Sequence, residues 1–450
     1  MARATRFLGN RLLVPSLLGL GIAANLGREV LFGLSFGGSR EIEIFRVAFG
    51  LPNTLLQCLG SPFVGVALPV IAAAQAQGPE AERVLARRVL MVGARGFLGL
   101  ALIGMLLSPW LTQWMAPGFS ADELARASGQ LRWLFGFLAI ASLSVPLRAR
   151  LNSRHVLWPG ASVSLTISLG LGAAALWVAL QGAEAPPSTP LVMGALIAGG
   201  VVLLTHALAS VRLRGTPLET HAESSETLAD LLARPLFAPL LAAAVYQLAN
   251  VLPRFLDRAY ASAAEDGAVA AVEYSYNFLT APGILLGTSF VMVAYPGFAR
   301  AIASGYPHES ARRLARPLTG TAFLALLAGG VFFLFGEPLI RLIYERGAFG
   351  DTEVLQTAAV LHGQSFSLPF LVLAMVFSQA LLGLGMIRAL LLAGVARIAV
   401  RWAWLEAQPL APELTNLGWG HTVTEASSAL ILGLLLLGRL RESAARSASA

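Results

Sequence analysis

The chain has no lysine and a single cysteine among its 450 residues, and only 13% of its residues are charged. One cysteine, Cys58, excludes an intramolecular disulfide framework and a cysteine-based metal site. Hydrophobic residues make up 56% of the chain, which is not the balance of a soluble globular domain. The expected solvent for most of the chain is therefore lipid.

Apolar segments long enough to cross a bilayer core of about 30 Å recur along the chain. Twelve are predicted, over residues 12–36, 44–74, 90–115, 131–150, 158–180, 190–211, 236–260, 270–298, 317–344, 356–386, 388–405 and 419–438. The predicted fold class is an all-α integral membrane protein of about twelve transmembrane helices.

A polar stretch over residues 212–234 divides the twelve segments into two sets of six. The predicted organisation is an N-terminal six-helix lobe (1–211), a cytoplasmic linker (212–234), a C-terminal six-helix lobe (235–440) and a cytoplasmic tail (441–450). An offset of 230 residues places Arg28 on Arg258 and Glu43 on Glu273. This internal repeat predicts two pseudo-symmetric lobes around a central cavity, as in many transporters.

The basic residues, all of them arginine, set the predicted orientation. They cluster at the N-terminus, at 83–88, 148–154, 212–214, 312–316 and 439–446, whereas residues 181–190 and 406–421 contain none. The positive-inside rule then places both termini in the cytoplasm. The first apolar segment is expected to be a retained helix and not a signal peptide, because Arg28 and Glu29 lie within it. The excess of arginine indicates membrane lipid headgroups as partners, and nucleic acid is not expected.

Charged side chains inside the apolar segments are the candidate functional residues, because burying an ionised group in the membrane costs several kcal/mol. Candidates that lie within or next to the first two segments of each set are Arg28, Glu29, Glu43, Arg46, Arg254, Asp257, Arg258 and Glu273. Taken singly, each has an alternative role as an interfacial side chain or a structural ion pair. Together they lie on the first two helices of each lobe and predict a basic cavity.

Arginine suits a pyrophosphate, because its planar fork makes bidentate charge-assisted bonds to phosphate oxygens. Arg28 and Arg258 are the predicted phosphate ligands, with Arg46 and Arg254 as secondary contacts. The carboxylates of Glu43 and Glu273 are expected to orient these arginines or to exchange a proton or cation. Simple pairing of Glu43 with Arg28 and of Glu273 with Arg258 explains them equally well.

No enzyme signature is present in the sequence. The six histidines lack metal-ligand spacing, and neither a phosphate-binding loop nor a nucleophile with a nearby base is recognisable. The chain is therefore expected to have no catalytic residues, no metal site and no cofactor. Energy coupling by H+ or Na+ is left open.

Several motifs, in order, resemble one family. Arg28-Glu29 is followed by Phe-Gly and then by Phe-Arg-Val-Ala-Phe-Gly-Leu-Pro-Asn, which ends at Asn53. Further matches are Ala116-Pro117-Gly118-Phe119, Leu151-Asn152-Ser153-Arg154, Leu256-Asp257-Arg258-Ala259 and Tyr344-Glu345-Arg346-Gly347-Ala348-Phe349. Over residues 10–390 the chain is similar to the MurJ (MviN) family of lipid-linked sugar flippases.

The resemblance implies the multidrug/oligosaccharidyl-lipid/polysaccharide exporter fold, in which the MATE transporters are also grouped. It implies that Arg28 is a cavity arginine and that Glu43 replaces an aspartate of the family. Two family arginines are absent, since the corresponding positions are Leu56 and Gln57 in one place and Asn277 in the other. Relatives usually have fourteen helices, and in some of them a cation site is attributed to the seventh, eleventh and twelfth helices. Here the eleventh helix carries Arg397 and Arg401, and Asp257 of the seventh is the candidate that remains.

The resulting hypothesis is a flippase that moves an undecaprenyl-pyrophosphate-linked saccharide, such as lipid II, across the bacterial cytoplasmic membrane by alternating access. One alternative is a flippase for an exopolysaccharide or surface-glycan intermediate, consistent with the two lost arginines. Another is a non-transporting scaffold that works with cell-wall or polysaccharide assembly proteins. A drug exporter is disfavoured because a site for cations should be acidic.

Overall fold

The computed structural model describes residues 2–182, 186–213, 237–303, 307–384, 386–409 and 413–449. Over these ranges the regular structure consists of fifteen α-helices. They are α1 (Ala2–Phe36), α2 (Arg40–Ala76), α3 (Pro79–Met115), α4 (Ala121–Ser142), α5 (Ser144–Ser153), α6 (Trp158–Ala161), α7 (Val163–Gln181), α8 (Thr189–Arg212), α9 (Phe237–Ser262), α10 (Ala268–Ala303), α11 (Pro307–Tyr344), α12 (Asp351–Gln364), α13 (Ser367–Gly383), α14 (Ile387–Glu406) and α15 (Leu414–Ser449).

Each of the twelve predicted segments corresponds to one helix or to two helices separated by a short break. The broken segments are 131–150 (α4 and α5), 158–180 (α6 and α7) and 356–386 (α12 and α13). Within the described residues, eight helical stretches are long and apolar enough to cross a membrane, or nine if the α12–α13 pair, bent by 54°, is one span. The chain is a multi-pass membrane protein, and the predicted all-α fold class is confirmed.

The chain divides into two compact units. Unit 1 contains Met1–Phe36, Arg40–Trp114 and Phe119–Gln247, and unit 2 contains Gly37–Ser39, Met115–Gly118 and Leu248–Ala450. The predicted linker at 212–234 lies almost entirely outside the described residues, so its boundaries stay a prediction. The predicted tail at 441–450 continues helix α15 as far as Ser449.

The packing within each unit positions the charged residues described below. In unit 1, α1 packs on α7, α2 packs on α4 and α5, and α8 contacts α4 and α7. In unit 2, α10 packs on α11, α12 and α13, while α15 contacts α12, α13 and α14.

Local sequence explains where several helices begin and end. Ser120 caps α4 in a capping box with Glu123, whose carboxylate accepts from the Ser120 backbone N–H at 2.7 Å. Gly37 follows α1 with φ of +56°, and Gly182 follows α7 with φ of +62°, conformations that glycine adopts without strain.

Helix α3 has an exposed apolar face. Leu102, Leu106 and Trp110 recur every four residues and are exposed, so they form an apolar stripe on one face of the helix. In a membrane protein such a stripe faces lipid acyl chains.

Candidate anion-binding site

In unit 1, one buried carboxylate is held by two arginines. Glu29 of α1 accepts from Nη2 of Arg28 at 2.5 Å and from Nη2 of Arg46, on α2, at 2.8 Å. The ring of Phe32 lies near both guanidinium groups, at 5.5 Å from that of Arg28 and 5.7 Å from that of Arg46. The Arg28–Glu29–Arg46 triad therefore has two positive charges and one negative charge.

In unit 2, Glu273 of α10 is also held by two arginines. It accepts from Nε of Arg258 at 2.6 Å and from Arg254, whose Nε lies 3.2 Å away and whose Nη2 binds the second carboxylate oxygen. Arg254 and Arg258 are one turn apart on α9, so both reach the same carboxylate. The guanidinium of Arg254 also stacks on Tyr276, at 3.9 Å from the ring centre.

Each triad has one arginine that is more exposed than the other. The side chain of Arg28 is 12% exposed and that of Arg254 is 28% exposed, whereas Arg46 and Arg258 are buried. Two guanidinium groups around one carboxylate leave a net positive charge, and a guanidinium has five N–H groups with which it can donate to an anion. The more exposed arginine of each triad is therefore the candidate contact for an anion such as a phosphate group.

Glu43 is placed differently from its counterpart in the repeat. It is buried at the start of α2 and accepts from Nη1 of Arg40 at 2.6 Å, while Arg40 also contacts Glu123 at 3.1 Å. The sequence-based pairing of Glu273 with Arg258 is formed, but Arg28 pairs with Glu29 and not with Glu43. The 230-residue repeat is therefore not reproduced by the ion pairs.

Asp257, the candidate cation ligand, is already paired with an arginine. Its carboxylate accepts from Arg401 of α14, which also donates to the backbone oxygen of Leu417 at 2.9 Å. Among the described residues, no group of three or more His, Cys, Asp or Glu side chains is arranged to hold a metal ion.

Sequence reasoning gave Glu29 no place in the binding set and did not identify a further ion pair in unit 2. Arg397 of α14 donates to Glu425 of α15, with His421 at 3.9 Å from the same carboxylate. Glu425 lies within the apolar segment 419–438 and Arg397 within 388–405. The cost of burying a charge, applied to these two segments as well, is the signal that would have identified them.

Comparisons with known proteins agree with the family resemblance seen in the sequence. A family model described as the lipid II flippase MurJ matches residues 34–400. A probable lipid II flippase MurJ from Rhizobium meliloti (strain 1021) is 26% identical over 356 residues, which cover 78% of this chain and 65% of the relative. The chain thus spans slightly less than two thirds of the length of this relative.

Solved structures share the fold. A lipid II flippase MurJ in an inward closed conformation superposes with a TM-score of 0.76 at 16% identity, covering 94% of this chain and 87% of that chain. An inward-facing multidrug resistance transporter of the MATE family, in the MOP superfamily, gives a TM-score of 0.73 at 14% identity, covering 98% and 99%. At these identities the similarity establishes a common fold.

Proposed function

Because the chain belongs to the lipid II flippase MurJ family, we propose that it is a flippase, not an enzyme, and translocates a lipid-linked saccharide by alternating access. The proposed substrate has an undecaprenyl-pyrophosphate carrier and a peptidoglycan-precursor saccharide, as in lipid II. The proposed location is the bacterial cytoplasmic membrane with both termini in the cytoplasm. Association with cell-wall assembly proteins stays a prediction from the sequence.

The observation that carries this proposal is the charge of the two triads. Each unit buries two guanidinium groups against one carboxylate and leaves one of the two partly exposed. This balance favours an anionic ligand, and it disfavours the cationic drugs that an acidic site would bind. A pyrophosphate is the anionic group of the proposed substrate.

The structure supports a division of roles within each triad. We propose that Arg28 and Arg254 each bind phosphate oxygens during the transport cycle, and that Arg46 and Arg258 hold Glu29 and Glu273 in place. The sequence-based assignment gave Arg258 the phosphate and Arg254 a secondary contact. The greater exposure of Arg254 is the reason for exchanging these two roles.

Complementation tests the proposal. The chain is expressed in cells depleted of their own lipid II flippase, and growth and the exposure of lipid II at the outer face of the membrane are measured. Rescue is expected for the wild type and for Arg439→Ala, which changes an exposed arginine paired with Glu442. Loss of rescue is expected for Arg28→Ala and Arg254→Ala at equal membrane abundance.

Failure of the wild type to rescue growth would favour a substrate other than lipid II. If the folded, membrane-inserted wild type fails to rescue, lipid II is not its substrate. Export of a surface glycan would then be measured in cells that lack the corresponding flippase. The positions of Leu56, Gln57 and Asn277, on the same helices as Arg46 and Glu273, are where a different saccharide would be selected.

A further inference from the structure

Helix α14 carries two arginines one turn apart, and each neutralises a carboxylate on a different helix. Arg397 binds Glu425 of α15, and Arg401 binds Asp257 of α9. Arg401 is only 1% exposed and is among the largest fully buried side chains in the part of the chain that the structure describes. Neither pair belongs to the triads described above.

The surroundings of the Arg401 guanidinium are those of a bound cation. Its oxygen partners are a carboxylate, from Asp257, and a backbone carbonyl, from Leu417 at 2.9 Å. Oxygen ligands of these two kinds are the ones that hard metal cations take from proteins. The guanidinium differs from such an ion because it is covalently tethered to α14.

The space around the guanidinium is closely filled. A Cβ atom added to Gly420 would lie 1.8 Å from Nη1 of Arg401 and 2.3 Å from Cδ1 of Trp404. Glycine at this position of α15 therefore leaves room for the guanidinium.

A buried carboxylate requires a compensating positive charge, because an unpaired ion in a medium of low dielectric constant is strongly destabilised. We infer that Arg401 is a tethered cation that occupies the position at which Asp257 would otherwise bind a free monovalent cation. The wild-type chain then binds no Na+ or Li+ at Asp257. This inference concerns ion binding in unit 2 and does not depend on the identity of the transported substrate.

The experiment is a cation titration of the purified protein in detergent. The midpoint of thermal unfolding is measured with NaCl, LiCl or choline chloride at constant ionic strength. The wild type is expected to have the same midpoint in all three salts. Arg401→Ala vacates the pocket but keeps the Asp257 carboxylate and the Leu417 carbonyl, so its midpoint is expected to rise saturably with Na+ or Li+.

Two control variants isolate the carboxylate as the ligand. Arg401→Ala combined with Asp257→Asn removes both charges and is expected to abolish the response to Na+ and Li+. Arg401→Lys retains a tethered cation and is expected to behave as the wild type. It also provides a folded variant if Arg401→Ala does not fold.

The inference is overturned by either of two results. One is a saturable response of the wild type to Na+ or Li+ that Asp257→Asn removes. The other is a folded Arg401→Ala protein that responds to neither ion. Because the titration measures ion binding and complementation measures transport, the two proposals fail separately.

Discussion

Nη2 of Arg46 lies 2.8 Å from Oε2 of Glu29, so a guanidinium of α2 holds a carboxylate of α1 inside unit 1. Unit 2 reverses this arrangement, because the carboxylate of Glu273 is on the second helix and both of its arginines are on the first. The two units therefore share a ratio of two guanidinium groups to one carboxylate. They do not share the positions from which these groups come.

Glu29→Gln tests whether this carboxylate is required to keep two guanidinium groups buried. The substitution keeps the size of the side chain but removes its charge, and with it the negative charge that Arg28 and Arg46 share. Removing one member of a buried ion pair typically costs about 3–5 kcal/mol, and we expect a loss of that order in the free energy of unfolding. Equilibrium unfolding in mixed micelles measures it.

An exposed ion pair provides the matched control for Glu29→Gln. Asp122 is largely exposed and contacts Arg126 at 3.0 Å. Asp122→Asn is expected to change the free energy of unfolding by less than about 1 kcal/mol, because water screens such pairs. Equal effects of the two variants would show that the triad has no special role in stability.

Arg254→Ala and Arg258→Ala separate two proposed roles in unit 2. These are phosphate binding by Arg254 and the positioning of Glu273 by Arg258. Arg254 is the exposed member, so its loss is expected to weaken binding of undecaprenyl pyrophosphate about tenfold, which corresponds to one charge-assisted hydrogen bond. Arg258 is buried on Glu273, so its loss is expected mainly to lower the thermal unfolding midpoint. Ligand titration and thermal unfolding of the same purified samples measure both effects.

The opposite pattern would reverse the assignment. If Arg258→Ala weakened ligand binding more than Arg254→Ala at unchanged thermal stability, Arg258 would be the phosphate ligand, as expected from the sequence repeat. Arg254→Lys is the accompanying conservative variant. It keeps the charge but loses the planar group that stacks on Tyr276, so partial recovery of binding is expected.

The helices were predictable because lipid imposes a length and a composition on each span. Segments such as 190–211 and 388–405 correspond to α8 and α14 within a few residues. The breaks were not predictable, because hydropathy does not register a change of direction inside an apolar run. The turn at Ser365 and Phe366, where α12 and α13 are bent by 54°, is one example.

The charged residues were predictable as a set but not as pairs. Burial cost alone singles out Arg28, Glu29 and Arg46, because the argument needs only their position in an apolar segment. Which carboxylate meets which arginine depends on helix rotation and packing, and these are three-dimensional properties. The partners of Glu43 and Asp257, which are Arg40 and Arg401, were for this reason not identified.

Gly418→Ala tests the close packing of α15 against α12. A Cβ atom at Gly418 of α15 would lie 2.3 Å from the backbone oxygen of Val360 of α12, and backbone cannot move aside as a side chain can. Small residues allow such close approach of helices in membranes, and overpacking typically costs about 1–3 kcal/mol. We expect a lower thermal unfolding midpoint, whereas Gly129→Ala, where a Cβ meets nothing within 4 Å, is expected to leave it unchanged or raised. An unchanged midpoint in Gly418→Ala would mean that α12 and α15 are not in backbone contact at this position.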